Sequence, residues 1–105
     1  MADILASRDG AVLVLTIANE PRRNAFSHAM TTKLGRLLHE AENDPAIRCV
    51  IVTGAGERAF SSGHDLNEML TDRDGASDEG LNEPFLLPRR MRTPTIAAIN
   101  GHAHA

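Results

Sequence analysis

Apolar and polar positions divide the chain into short, clearly different segments. Asp3 to Arg8 is followed by Asp9-Gly10, a dipeptide suited to a tight hairpin, and then by the β-branched and apolar run Ala11 to Ala18. This pattern predicts two antiparallel strands. The loop Asn19-Glu20-Pro21-Arg22-Arg23-Asn24 breaks it with a proline and two like charges. Ser27 is a suitable N-cap for a helix running to Asn43. Within it Met30, Leu34, Leu37, Leu38 and Ala41 recur at three- and four-residue spacing and define one buried stripe. Asp44-Pro45 ends that helix.

A short apolar strand over 48–53 follows, of the kind buried on both faces of a parallel sheet. Gly54-Ala55-Gly56 reads as a turn and plain connection leading to Phe60-Ser61-Ser62-Gly63-His64-Asp65-Leu66. A short helix is expected from Asp65 or Leu66 to Leu70. Residues 71–82 read as a polar loop, and a brief irregular helix is expected between Pro84 and Met91. Thr95 to Ile99 is the last strand, closed by Asn100-Gly101. Helices alternating with apolar strands imply an α/β fold with parallel pairs. The last strand has no helix after it to cover it. Residues 1–105 are therefore expected to be one partial domain, truncated after the strand at about 95–99.

Composition narrows the function classes. Hydrophobic residues make up 42% and charged residues 24%, an ordinary globular mix. A net charge of −3 argues against a nucleic-acid binder, and three Phe with no Trp or Tyr leave no platform for stacking bases. The single Cys49 cannot form an internal disulfide and is expected to be a buried, inert thiol. The N-terminus lacks the apolar stretch of a signal peptide, and no run approaches the roughly 20 apolar residues of a membrane span. The expected location is cytoplasmic, with neither membrane nor nucleic acid as partner.

The segment Phe60 to Leu66 carries the strongest chemical signal. Gly63 lets the backbone approach a ligand, and a helix opening just after it would leave the N–H of His64 free at the positive helix end. Such an N–H can stabilise a developing oxyanion. The competing motif Gly54-Ala55-Gly56-Glu57-Arg58-Ala59 has the form of a dinucleotide fingerprint, but Phe60-Ser61-Ser62-Gly63 interrupts the helix it requires. His102 and His104 lack a third ligand at useful spacing, so no metal site is assigned. His28 and His39 read as surface residues, and Arg22, Arg23, Arg89, Arg90 and Arg92 as solvated charge.

Three stretches in order resemble the enoyl-CoA hydratase/isomerase (crotonase) family: Asn19 to Ala25, Val50 to Gly54 with Phe60 to Leu66, and Pro94 to Ala103. The resemblance covers essentially the whole chain and implies a crotonase-like ββα spiral, trimers or dimers of trimers for a complete chain, and the acyl-CoA chemistry of fatty acid metabolism. It implies water addition to 2-enoyl-CoA, with the enolate-like oxyanion held by two backbone N–H groups. The first donor is then the N–H of His64, after Gly63. Ala25, Ser62 and Leu66 match positions lining the coenzyme A groove, and Arg23 is a candidate for the nucleotide phosphates. Coenzyme A enters as part of the substrate, with no separate cofactor.

By the same resemblance, the second donor and two catalytic glutamates fall beyond Ala105. The chain alone is expected to have little activity. Isomerisation, thioester hydrolysis or decarboxylation on the same scaffold, a non-catalytic coenzyme A-binding or assembly fragment, and a remnant of a disrupted reading frame are the alternatives.

Overall fold

The structure is a computed structural model that describes residues 2–63 and 78–103, and the side chains of all of these except 78–83. The expected hairpin forms from β1 (Asp3–Asp9) and β2 (Val12–Ala18), paired antiparallel from Asp3↔Ala18 to Asp9↔Val12. Gly10, at φ +61°, supplies the positive dihedral that a two-residue turn needs. A 3-10 turn (Glu20–Arg22) leads to α1 (His28–Glu42). Ser27 caps this helix, its Oγ accepting from the Met30 N–H at 3.2 Å. Asn43 closes it by donating from both its backbone N–H and its side chain to the His39 carbonyl.

The chain continues through β3 (Cys49–Gly54), β4 (Ala59–Ser61), α2 (Asp78–Arg90), β5 (Thr95–Ala98) and β6 (His102–Ala103). One sheet has the order β1-β2-β3-β5, with β3 parallel to both β2 and β5. The short strands β4 and β6 form a second, parallel pair.

Alternation in β2 decides which face is inside. Leu13, Leu15 and Ile17 are buried against α1, while Val12, Val14 and Thr16 face the other way and are only half covered. These residues, with Ile4 and Val50, meet the predicted helix stripe of Met30, Leu34, Leu37 and Leu38 to form the core. Each such side chain contributes about 1.5–3 kcal/mol on full burial. The edge strand β5 is less well covered: Ile96 is 53% and the adjacent Ile99 56% exposed.

Four expectations need correction. The stretch read as a polar loop to residue 82 is helical from Asp78 onward, and α2 runs through both Pro84 and Pro88. The two prolines are four residues apart and so share a helix face. That face packs on α1, where a Cβ on Gly35 would lie 3.2 Å from the Pro84 ring. Tertiary packing overrides the helix-breaking tendency of proline here.

The connection after β3 is not a plain loop. It folds back so tightly that a Cβ on Gly54 would sit 2.6 Å from the Phe60 carbonyl oxygen. The strands β4 and β6, three and two residues long, were not expected at all. Cys49 is half-buried, because it starts β3 on the face opposite the buried Val50. The helix expected between Asp65 and Leu70 lies outside the described residues.

Glu42 ties the end of α1 to the start of β5. Its carboxylate accepts from the backbone N–H of Arg92 (2.7 Å) and Thr93 (3.0 Å) and from the Thr93 hydroxyl (3.0 Å). The backbone bonds from Arg92 and then Thr93 hold its carboxyl below the ordinary value of 4.5. A depressed folded-state value means that the stabilisation is present above 4.5 and is lost as the pH falls through the folded value. Glu42→Gln should therefore lower Tm at neutral pH. Its deficit relative to the parent should shrink as thermal melts are taken to progressively more acidic pH, and a deficit constant across that range would contradict the contact.

Candidate functional site

Loop 19–25 is the first element to be fixed. Arg23 and Asn24 both have positive φ, 54° and 58°, a region that asparagine tolerates better than most side chains. Asn24 is 1% exposed and uses its whole amide. Its Oδ1 accepts from the Asn19 N–H at 2.8 Å, and its Nδ2 donates to the carbonyls of Ala55 (3.0 Å) and Ala59 (2.8 Å). Asn19 reciprocates within the loop by donating from Nδ2 to the Ala25 carbonyl at 2.8 Å.

A second asparagine closes the other side. Asn100 Nδ2 donates to Gly56 (2.9 Å) and to the same Ala59 carbonyl (3.1 Å), while its Oδ1 accepts from the Gly54 N–H (3.0 Å). Gly101 follows, where a Cβ would meet the Arg58 carbonyl at 2.6 Å. Only a residue without a side chain brings β6 to β4 at that distance.

The turn after β4 is bolted onto this frame by three hydrogen bonds. The Ser61 hydroxyl donates to the Asn24 carbonyl (2.9 Å), the Ser62 hydroxyl donates to the Arg22 carbonyl (3.2 Å), and the Phe26 N–H donates to the Gly63 carbonyl (2.7 Å). Gly63 has φ +94°, and its own N–H is engaged with Ser61 Oγ at 3.1 Å. Four of the sequence-predicted site residues are thus brought to one place: Arg23 and Ala25 on the loop, Ser62 and Gly63 on the turn. Arg23 is exposed and caps the 3-10 turn through its N–H, whereas Ala25 is buried. His64, Leu66 and His104 lie outside the described residues.

Beside this turn a cavity of about 610 Å³ opens between the sheet and the two helices. Its walls include Ile17 and Val52 from the sheet, Leu34 and Leu38 from α1, and Phe85 from α2. Phe26 meets Phe85 edge-to-face, with ring centroids 5.0 Å apart and planes at 85°. Gly63 and Ser61 stand at its polar side.

Sequence reasoning did not single out Asn24, Asn100, Ser61 or the two phenylalanines. A buried asparagine at positive φ between two charged or polar loop residues leaves little periodic signal. Among the described residues no three His, Cys, Asp or Glu side chains cluster as metal ligands, and no helix is long and apolar enough to cross a membrane.

The sequence profile described as Enoyl-CoA hydratase/isomerase matches residues 7–105. The chain belongs to the enoyl-CoA hydratase/isomerase family. It is similar to the 1,2-epoxyphenylacetyl-CoA isomerase of Escherichia coli K12, with 37% identity covering 98% of this chain and 42% of that protein. It is similar also to the 2,3-dehydroadipyl-CoA hydratase of the same strain, with 36% identity over 98% of this chain and 40% of the relative. Among solved structures, an enoyl-CoA hydratase from Polaromonas sp. JS666 superposes with a TM-score of 0.81 at 33% identity, covering 94% of this chain and 40% of that one. The chain thus spans about two-fifths of the length of these family members, and the fold described above is the corresponding part of the crotonase-like architecture.

The hydrogen bonds of Asn24 yield a direct test. Asn24→Ala leaves the Asn19 N–H and the Ala55 carbonyl without their partners and places a Cβ residue at positive φ. The expected loss is about 3–4 kcal/mol of unfolding free energy. Asn24→Asp, which turns the donor into a carboxylate facing two carbonyls, should lose a similar amount at neutral pH. Urea denaturation of both variants decides this. A change below about 0.5 kcal/mol, the level of an ordinary surface substitution, would refute the role given to Asn24.

Proposed function

We propose that this chain supplies the coenzyme A side and the first oxyanion donor of an enzyme that adds water to a 2-enoyl-CoA thioester. The observation that carries the proposal is the three-bond attachment of the Ser61–Gly63 turn to loop 22–26, at the mouth of an apolar chamber. A thioester placed there has its acyl group in the chamber and its carbonyl oxygen at the turn. Because the Gly63 N–H is already engaged by Ser61, the free donor is assigned to the next residue, His64. Loop residues Arg23 and Ala25, with Ser62 and Leu66, are assigned to the coenzyme A groove, and Arg23 to its phosphates. The names of the family members above, an epoxyphenylacetyl-CoA isomerase and a dehydroadipyl-CoA hydratase, support an acyl-CoA substrate.

No acidic side chain among the described residues lines the chamber. General acid–base groups contribute about 10²–10⁴-fold to such reactions, so this part of the site is expected to bind better than it turns over. Isothermal titration of the purified chain with crotonyl-CoA should show binding, beside little hydration in a spectrophotometric assay of the same sample. Gly63→Ala, which forces a side chain onto φ +94°, should weaken that binding by at least about tenfold while the far-UV spectrum is retained. Absence of binding to any coenzyme A thioester by a cooperatively folded sample would overturn the proposal.

A further inference from the structure

The polar atoms bordering the chamber are already committed. Ser61 donates its hydroxyl proton to the Asn24 carbonyl at 2.9 Å, and the Thr95 hydroxyl points to the Thr93 carbonyl at 3.5 Å. The Gly63 N–H is bound to Ser61 Oγ. The remaining described wall is hydrocarbon and aromatic, with Ile17, Leu34, Leu38, Val52 and the Phe26–Phe85 pair. No Lys, Arg or His among the described residues lines it.

Two consequences follow for an acyl group inside. Size is generous, since an engineered apolar cavity of about 150 Å³ already accepts benzene, against about 610 Å³ here. Charge is excluded, because a carboxylate moved into a wall without donors loses its hydration and gains no hydrogen bond in exchange.

We infer that the chamber takes an uncharged, ring-sized apolar acyl group and rejects acyl groups that end in a carboxylate. This inference rests on the acyl-CoA reading above. An edge-to-face pair of phenyl rings at the rim provides a third aromatic ring with further edge and face contacts. Ala97 stands on the chamber side of β5, opposite Val52 in the sheet register, and its small side chain leaves the space open at that end.

The test compares phenylacetyl-CoA, adipyl-CoA and free coenzyme A by isothermal titration against the chain. It adds the phenylacetyl and adipyl thioesters of N-acetylcysteamine, which carry no nucleotide. Phenylacetyl-CoA should bind at least about tenfold tighter than free coenzyme A, as burial of one aromatic side group predicts. Adipyl-CoA should bind no tighter than free coenzyme A. Ala97→Phe, which adds a ring on an exposed edge strand, should erase most of the phenylacetyl advantage.

Equal or tighter binding of adipyl-CoA, or no advantage of phenylacetyl-CoA over free coenzyme A, overturns the inference and leaves the acyl-CoA reading standing. If the truncated phenylacetyl thioester binds as well as its coenzyme A counterpart and free coenzyme A does not bind, the chamber assignment stands and the coenzyme A reading falls. If neither phenylacetyl thioester exceeds its adipyl partner, the chamber assignment is refuted.

Discussion

The Ala59 carbonyl oxygen accepts from two asparagines at once, Asn24 at 2.8 Å and Asn100 at 3.1 Å. Both of its lone pairs are thereby used. The two donors come from segments separated by most of the chain, one before α1 and one after β5. Their other amide atoms reach Asn19, Gly54, Ala55 and Gly56. A region with so little regular ladder would otherwise bury backbone groups without partners, at about 1–3 kcal/mol each. Asparagine suits this position because a short side chain carries a donor and an acceptor together, and because it accepts positive φ. The close approaches at Gly54 and Gly101 follow from the same demand, since the asparagines reach their targets only where the backbone segments nearly touch.

From this frame the turn at 61–63 inherits its position. Ser61 takes the Asn24 carbonyl, and Gly63 takes the N–H of Phe26, the residue that also forms the chamber rim. Precision in such a site comes from surrounding groups that are themselves immobilised, more than from the turn alone. The hydrophobic core supplies the opposite wall independently. The stripe of α1 buries itself against β2 and β3 whether or not the loops are in place. Two kinds of order meet at the cavity: non-directional burial on one side, and a directional hydrogen-bond lattice on the other.

That division explains what was legible in the sequence. The hairpin, α1 with its cap, β3 and β5 were readable because a period of 2 or 3.6 in apolar residues is a local signal. The strands β4 and β6 were not, because three and two residues carry no period and their pairing is imposed by Asn100 and Gly101. Proline misled at α2: Pro84 and Pro88 signal irregularity locally, yet both fit a helix whose packing against Gly35 is a long-range fact. For the site, Gly63 and the Arg23–Ala25 loop were recognisable as motif pieces. Their attachment through Ser61 and Asn24 was not, since a hydrogen bond across 37 residues has no sequence spacing of its own.

The lattice that builds the turn also sets the polarity of the chamber. Every donor used to hold Gly63 and Ser61 in place is a donor withdrawn from a bound acyl group, so a well-fixed turn and a polar chamber compete for the same atoms. Adapting such a site to a charged acyl terminus by altering the turn would loosen the frame it hangs from. The less costly route is a new donor on the hydrocarbon wall, at a position such as Leu38 or Val52, where a side chain enters the cavity without taking part in the lattice. Change at those wall positions is limited only by core packing, at about 1–3 kcal/mol for an ill-fitting residue. Change at the turn is limited by the whole loop assembly. Acyl preference should therefore be more readily altered through the helices and the sheet than through the motif that identifies the family.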